Sequence, residues 1–123
     1  MKLLLDTHVL LWWDRNDSRL PTAFSDAIGL PENEVFVSAG SAWEIAIKRA
    51  SGKLESGASA AETIRRNGFI PLSVTVEHAE WAGSLPQLHR DPFDRLLVAQ
   101  AQLEGMTLVS VDDQILRYQV PRL

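Results

Sequence analysis

Apolar and polar residues along this chain alternate on the scale of whole elements. "KLLLD" at 2 to 6 is a short apolar run ended by a carboxylate, and apolar residues of helical reach continue to Trp13, which predicts a buried strand followed by a helix. After the polar "RNDSRLP", Pro21 opens a second short helix, with Ala23, Phe24, Ala27 and Ile28 at helical spacing and Gly29 as its stop. "EVFVS" at 34 to 38 reads as a strand. From Ser38 the chain turns helical, with Ala42, Ile45, Ala46 and Arg49 stacked on one face and Gly52 closing it. A further helix is expected over 59 to 67, a strand at "FIPLSV" (69 to 74), and a helix from Val76 to Gly83 capped by Thr75. The helix from 92 to 104 ends at Gly105, and "TLVSV" (107 to 111) is the last clear strand before a short helix and the weak terminal segment "QVPRL". Apolar strands alternating with helices predict an α/β fold, a parallel sheet covered on both faces. No repeat, linker or low-complexity segment interrupts it, so one domain over 1–123 is expected.

Composition narrows the classes. A chain of 123 residues, 46% hydrophobic and 23% charged, is long enough to bury a real core. It has no Cys, so disulfides and thiolate metal sites are excluded and a metal must take oxygen or imidazole ligands. The start "MKLLLDTHVLLWW" has the look of a signal peptide, but Asp6 and His8 interrupt it and no small-residue cleavage site follows, so a cytoplasmic location is expected. No run reaches membrane-spanning length, and no membrane association is expected. A net charge of −4 speaks against a nucleic-acid partner. With four of the 16 acids set aside in one pocket, the remaining acids balance the 12 Lys and Arg, and the objection weakens.

The acids can be sorted by topology. In an open parallel sheet, ligands bind at the carboxyl ends of the strands, where the strand order reverses. Asp6 ends the first strand, Glu44 lies within two turns of the helix after the second, Asp94 sits in the first turn of a helix, and Asp112 follows "TLVSV". All four belong on one edge of the sheet. Each also has a structural explanation. Asp91 before Pro92 is a good N-cap and Asp94 a favourable first-turn anion. Glu44 completes a capping box if its helix starts at Ser41 and is mid-helix on the pocket side if it starts at Ser38. Asp6 and Asp112 are plausible turn or cap residues, and Asp113 competes with Asp112.

"LLLDTHVLLWW", "VSAGSAWEIAIK", "DPFDRLLVAQA" and "LVSVDDQI", in that order over residues 3 to 115, resemble the PIN-domain ribonucleases and, within them, the VapC toxins of toxin-antitoxin pairs. The resemblance implies a PIN-like three-layer α/β/α sandwich around a parallel sheet, Mg or Mn dependence, cleavage of RNA, homodimers, and inhibition by a VapB-like antitoxin. It maps the family's acidic positions onto Asp6, Glu44, Asp94 and Asp112, and makes Asp91 a structural position. Ser110 departs from the Thr of many relatives but keeps the hydroxyl.

The residue types lead to the same chemistry. Four carboxylates in one pocket raise one another's pKa unless a cation compensates. Without Cys or paired His spacing, a hard cation such as Mg or Mn suits them better than zinc. Thr7 and Ser110 are expected to aim the carboxylates by hydrogen bonds. His8 is the histidine expected near the pocket, while His78 and His89 read as helix-surface and loop residues. Arg90 and Arg95 flank the acidic motif, placed either to hold RNA phosphates or, for Arg95, to pair with an acid. A haloacid-dehalogenase-type phosphatase would need Asp where His8 stands, and a receiver domain would need a late Lys, yet none occurs after Lys53. The rival of another class is a catalytically silent scaffold that acts through partner binding. The run Val9-Leu10-Leu11-Trp12-Trp13 goes all the way round a helix, so it is either wedged between core and loops or covered by a second chain.

Overall fold

In the computed structural model, which describes residues 1–54 and 57–123, the strands are β1 (Lys2–Leu5), β2 (Glu34–Ser38), β3 (Ile70–Leu72) and β4 (Thr107–Val109). The helices are α1 (Thr7–Arg15), α2 (Thr22–Gly29), α3 (Ala39–Ala50), α4 (Ala60–Asn67), α5 (Val76–Ser84) and α6 (Pro92–Glu104), with a 3-10 turn at Ile115–Arg117. The sheet order is β3-β2-β1-β4, and every pairing is parallel. From β1 the chain builds outward through β2 and β3 on one side, then returns to add β4 on the other. The order therefore reverses between β1 and β4, which places the ligand-binding crevice at their carboxyl ends.

Both faces of β1 are covered. Leu3 and Leu5 belong to a core cluster with Val9, Phe24, Ile28 and Ile45, from the layer α1 to α4. Leu4 belongs to the opposite cluster with Leu97, Val98 and Leu108, on the α6 side. All three leucines are inaccessible to solvent, which is why this strand reads as a continuous apolar run. The three-layer α/β/α arrangement is the one expected.

Several boundaries shift from those expected. β3 and β4 are shorter than their apolar runs, and β4 hands over to a loop at Ser110. The terminal "QVPRL" lies along β4 through a single parallel bridge between Leu108 and Arg122. In α3 the buried face runs through Ser41, Glu44 and Ile45, while Ala46 is exposed and the C-cap is Ser51, not Gly52. The start of α3 packs hard on α6: a Cβ at Gly40 would come within 2.8 Å of Leu96 Cδ2. Helices carrying Glu44 and Asp94 are thereby drawn together.

Part of the aromatic run of α1 is wedged against core and loops. Val9 and Leu10 are buried, and Trp12 and Trp13 are half-buried. The Trp13 indole donates to Asn67 Oδ1 at 3.0 Å and packs on Phe69. Trp12 lies under the Arg19 guanidinium. The most exposed indoles are instead Trp43 and Trp81, at 64% and 45%.

Candidate functional site

Each acid reaches the crevice because of where an element begins. Asp6 follows β1 as the N-cap of α1, its Oδ1 accepting the Val9 N–H at 2.8 Å. Ser38 caps α3 by accepting from Gly40 N–H, so the helix starts there and Glu44 stands mid-helix on the buried side; the capping-box alternative fails. Asp91 caps α6, accepting from the amides of Phe93 and Asp94 at 2.8 and 3.2 Å, with Pro92 at the first helical position. Asp112 precedes the 3-10 turn, its Oδ1 accepting the Gln114 amide at 2.8 Å. Asp113 is exposed, and the structure brings Asp112 rather than Asp113 into the crevice.

Within the crevice the closest gathering is His89, Asp94 and Asp112. The His89 Nε2 lies 2.9 Å from Asp94 Oδ2 and 3.4 Å from Asp112 Oδ2. One ligand atom from each of the three falls within 4.8 Å of the others. His89 is thus the residue the sequence reading misses. His8, expected near the pocket, is exposed on α1 against Trp12 and acts on Asp6 only through charge. His78, expected on a helix surface, is buried: its ring takes the Thr75 N–H in a capping box at the start of α5.

Glu44 stands across the crevice with its own partners. The Thr7 hydroxyl donates to Oε1 at 2.6 Å, and Lys48 Nζ lies 3.0 Å from Oε2. Ser110 acts on two acids: its hydroxyl lowers the Asp6 carboxyl and accepts the Asp112 amide at 3.0 Å. The aiming role expected of Thr7 has its geometric counterpart in the bond to Glu44. Arg95 pairs with no acid among the described residues; its guanidinium donates to the Ala82 carbonyl at 2.9 Å and ties α6 to the end of α5. For Thr7→Val, which deprives a buried carboxylate of its shortest donor, a loss of about 1 to 3 kcal/mol is expected in thermal unfolding.

Crowding shows in the protonation equilibria. Burial pushes the Asp94 carboxyl up to about 7, helped by the charges of Asp91, Glu44 and Asp112 and opposed by His89. Burial also raises Asp6, against the Ser110 hydroxyl and the Val9 amide, with the Asp112 charge adding to the rise. Two carboxylates held above their ordinary range, among further oxygen donors, form a donor set suited to a hard divalent cation.

An acid cluster at the switch point of a four-stranded parallel sheet, reached through motifs spread over the whole chain, places the protein in the PIN domain family, whose model matches residues 3–121. Among curated proteins it is similar to ribonuclease VapC22 of Mycobacterium tuberculosis, with 35% identity over 98% of this chain and 94% of that one. Among solved structures it resembles VapBC2 of Rickettsia felis bound to a promoter DNA fragment, at a TM-score of 0.70 and 14% identity over 100% of this chain and 98% of that one. It also resembles a toxin-antitoxin complex from Klebsiella pneumoniae, at 0.68 and 16% over 98% and 95%. At such identities the two structures speak for the fold.

Proposed function

We propose that this protein is a metal-dependent endoribonuclease, the toxin of a toxin-antitoxin pair. The observation that carries the reading is the gathering of acids from four separate elements at the β1/β4 edge, with Asp94 driven to about 7 by burial and by its acidic neighbours. Asp6, Glu44, Asp94 and Asp112 would hold a Mg or Mn ion, directly or through water. Such an ion supplies a Lewis acid for the phosphoryl oxygen and acidifies a water, so that a phosphodiester is hydrolysed without a covalent intermediate.

The residues around the acids fit RNA. A cleft beside Glu44 is lined by Lys48, Lys53 and Arg90, cations placed to follow a phosphate backbone. Phe93, which also lines this cleft, meets the neighbouring and largely exposed Trp43 edge to face at 5.4 Å, a stacking surface for an unpaired base. The VapC22 relative is named a ribonuclease, and the Klebsiella structural neighbour is a toxin-antitoxin complex. The first supports an RNA substrate and the second an antitoxin partner, here taken as VapB-like; the proposed unit is a homodimer. Among the described residues no helix is long and apolar enough to cross a membrane.

The test is cleavage of total cellular RNA by the purified protein. Activity is expected with Mn or Mg and none in EDTA, and Asp6→Asn should cut at least about a hundredfold more slowly, the loss of several kcal/mol of charge stabilisation. EDTA-resistant cleavage that survives Asp6→Asn would overturn the reading.

A further inference from the structure

His89 lies among the acids, and its two ring nitrogens settle how it acts there. Nδ1 accepts the Asp91 N–H at 3.3 Å, so in the neutral ring the proton is on Nε2. A nitrogen that carries a proton has no lone pair for a metal. Ligation through Nε2 would put the ring proton on Nδ1, against the Asp91 N–H, so although His89, Asp94 and Asp112 are spaced like three ligands, the imidazole is held against being one. What it presents to the acids is an N–H.

That N–H is unusual in one respect. Nε2 is sealed from solvent, yet neither carboxylate contact, at 2.9 and 3.4 Å, has hydrogen-bond geometry. A buried donor left without a full partner costs about 1 to 3 kcal/mol, so a small rotation of either carboxylate that completes the bond is favoured. A cation drawing on the other oxygens of Asp94 and Asp112 would produce such a rotation. Ligating carboxylates are commonly held by a further hydrogen bond, and losing that partner typically weakens metal binding about 10- to 100-fold.

We propose that His89 is a positioning residue of the metal site: with Nδ1 held by the Asp91 amide, its Nε2–H spaces Asp94 and Asp112 and completes a hydrogen bond to Asp94 when the ion binds. The same amide group links this to the start of α6, since the Asp91 carboxylate caps that helix. The capping residue and the imidazole thus set Asp94 from both sides. The proposal rests on the acid site described above, and its test separates the two.

The test is Mn2+ binding followed by electron paramagnetic resonance. His89→Ala should bind Mn2+ about 10- to 100-fold more weakly than the parent. His89→Gln, which keeps an N–H donor near the Nε2 position, should recover most of that affinity. Pulsed spectra of the bound ion in the parent should show no coupling to a directly ligated imidazole nitrogen. Strong nitrogen coupling, or a Gln variant as weak as Ala, would make His89 a ligand and overturn the proposal. Parent-like binding by His89→Ala would make it a bystander, with the acid site intact. If the parent binds no Mn2+, or Asp94→Asn binds as the parent does, the acid site fails and this proposal with it.

Discussion

In EDTA at about pH 8, Asp94→Asn is expected to be more stable than the parent by about 2 to 4 kcal/mol, and the gap should close as the pH falls towards 4. Folding raises the Asp94 pKa from 3.8 to about 7, with burial the largest cause. A carboxyl raised in this way favours the folded state fully only below its unfolded value, and that advantage is lost as the pH rises through the folded value. Asp6, also raised by burial, acts in the same direction. The side chain of Asp94 is only 16% exposed, so solvent screening leaves most of the effect in place. If Asp94 were merely a first-turn anion, the same substitution would cost about 0.3 to 1 kcal/mol, the opposite sign. Metal then closes most of that gap. At an ion concentration about a hundredfold above its dissociation constant the parent should gain about 2.7 kcal/mol, most of which Asp94→Asn should lose together with RNA cleavage. Asp91→Asn tests the cap separately, because Asn caps nearly as well as Asp and this change should relieve only the part of the Asp94 rise that the Asp91 charge adds. Thermal melts across pH, with and without Mn, give every arm; an Asp94→Asn variant less stable than the parent in EDTA at high pH would sink the argument.

Tyr118→Phe is expected to lose about 2 to 3 kcal/mol in urea unfolding. The Tyr118 hydroxyl accepts the amides of Leu88 and His89 at 3.2 and 3.0 Å and donates to the Pro86 carbonyl at 2.6 Å. Phenylalanine keeps the ring in the α6-side core but leaves two donors and one acceptor to find new partners. The segment they belong to carries His89, so faster hydrogen exchange at the Leu88 and His89 amides and weaker Mn2+ binding should accompany the loss. A variant within about 0.5 kcal/mol of the parent, the usual range for surface changes, would show that water replaces the hydroxyl without cost.

These two positions also show where sequence reading reaches and where it stops. Asp6, Asp94 and Asp112 stand at or near the start of a helix or turn and Glu44 within two turns of one, and parallel topology puts these positions on one edge. Periodicity was enough to place them. His89 lies in the irregular stretch between α5 and α6, where no period exists, and is held by Tyr118 from beyond β4. Its one local signal is its place two residues before a proline-backed N-cap. His78 escaped for another reason: α5 exposes Val76, at 76%, while burying the histidine at 3%, an inversion of the usual polarity that only the Thr75 capping box and the Glu104 contact explain. The aromatic run of α1 was legible as too apolar for one face, but not which neighbours would cover it, since Asn67, Phe69 and Arg19 arrive from elsewhere in the chain.

Asp6 and Asp112 each spend one carboxylate oxygen on a backbone amide. Asparagine retains that oxygen and discards only the charge. On the proposed function, folding and chemistry are written on different atoms of the same side chain, and a single-base change in an Asp codon would silence the second while sparing the first. A lineage under pressure to disarm this protein has a short mutational path to an inert, intact chain that still presents the same surface to its partners.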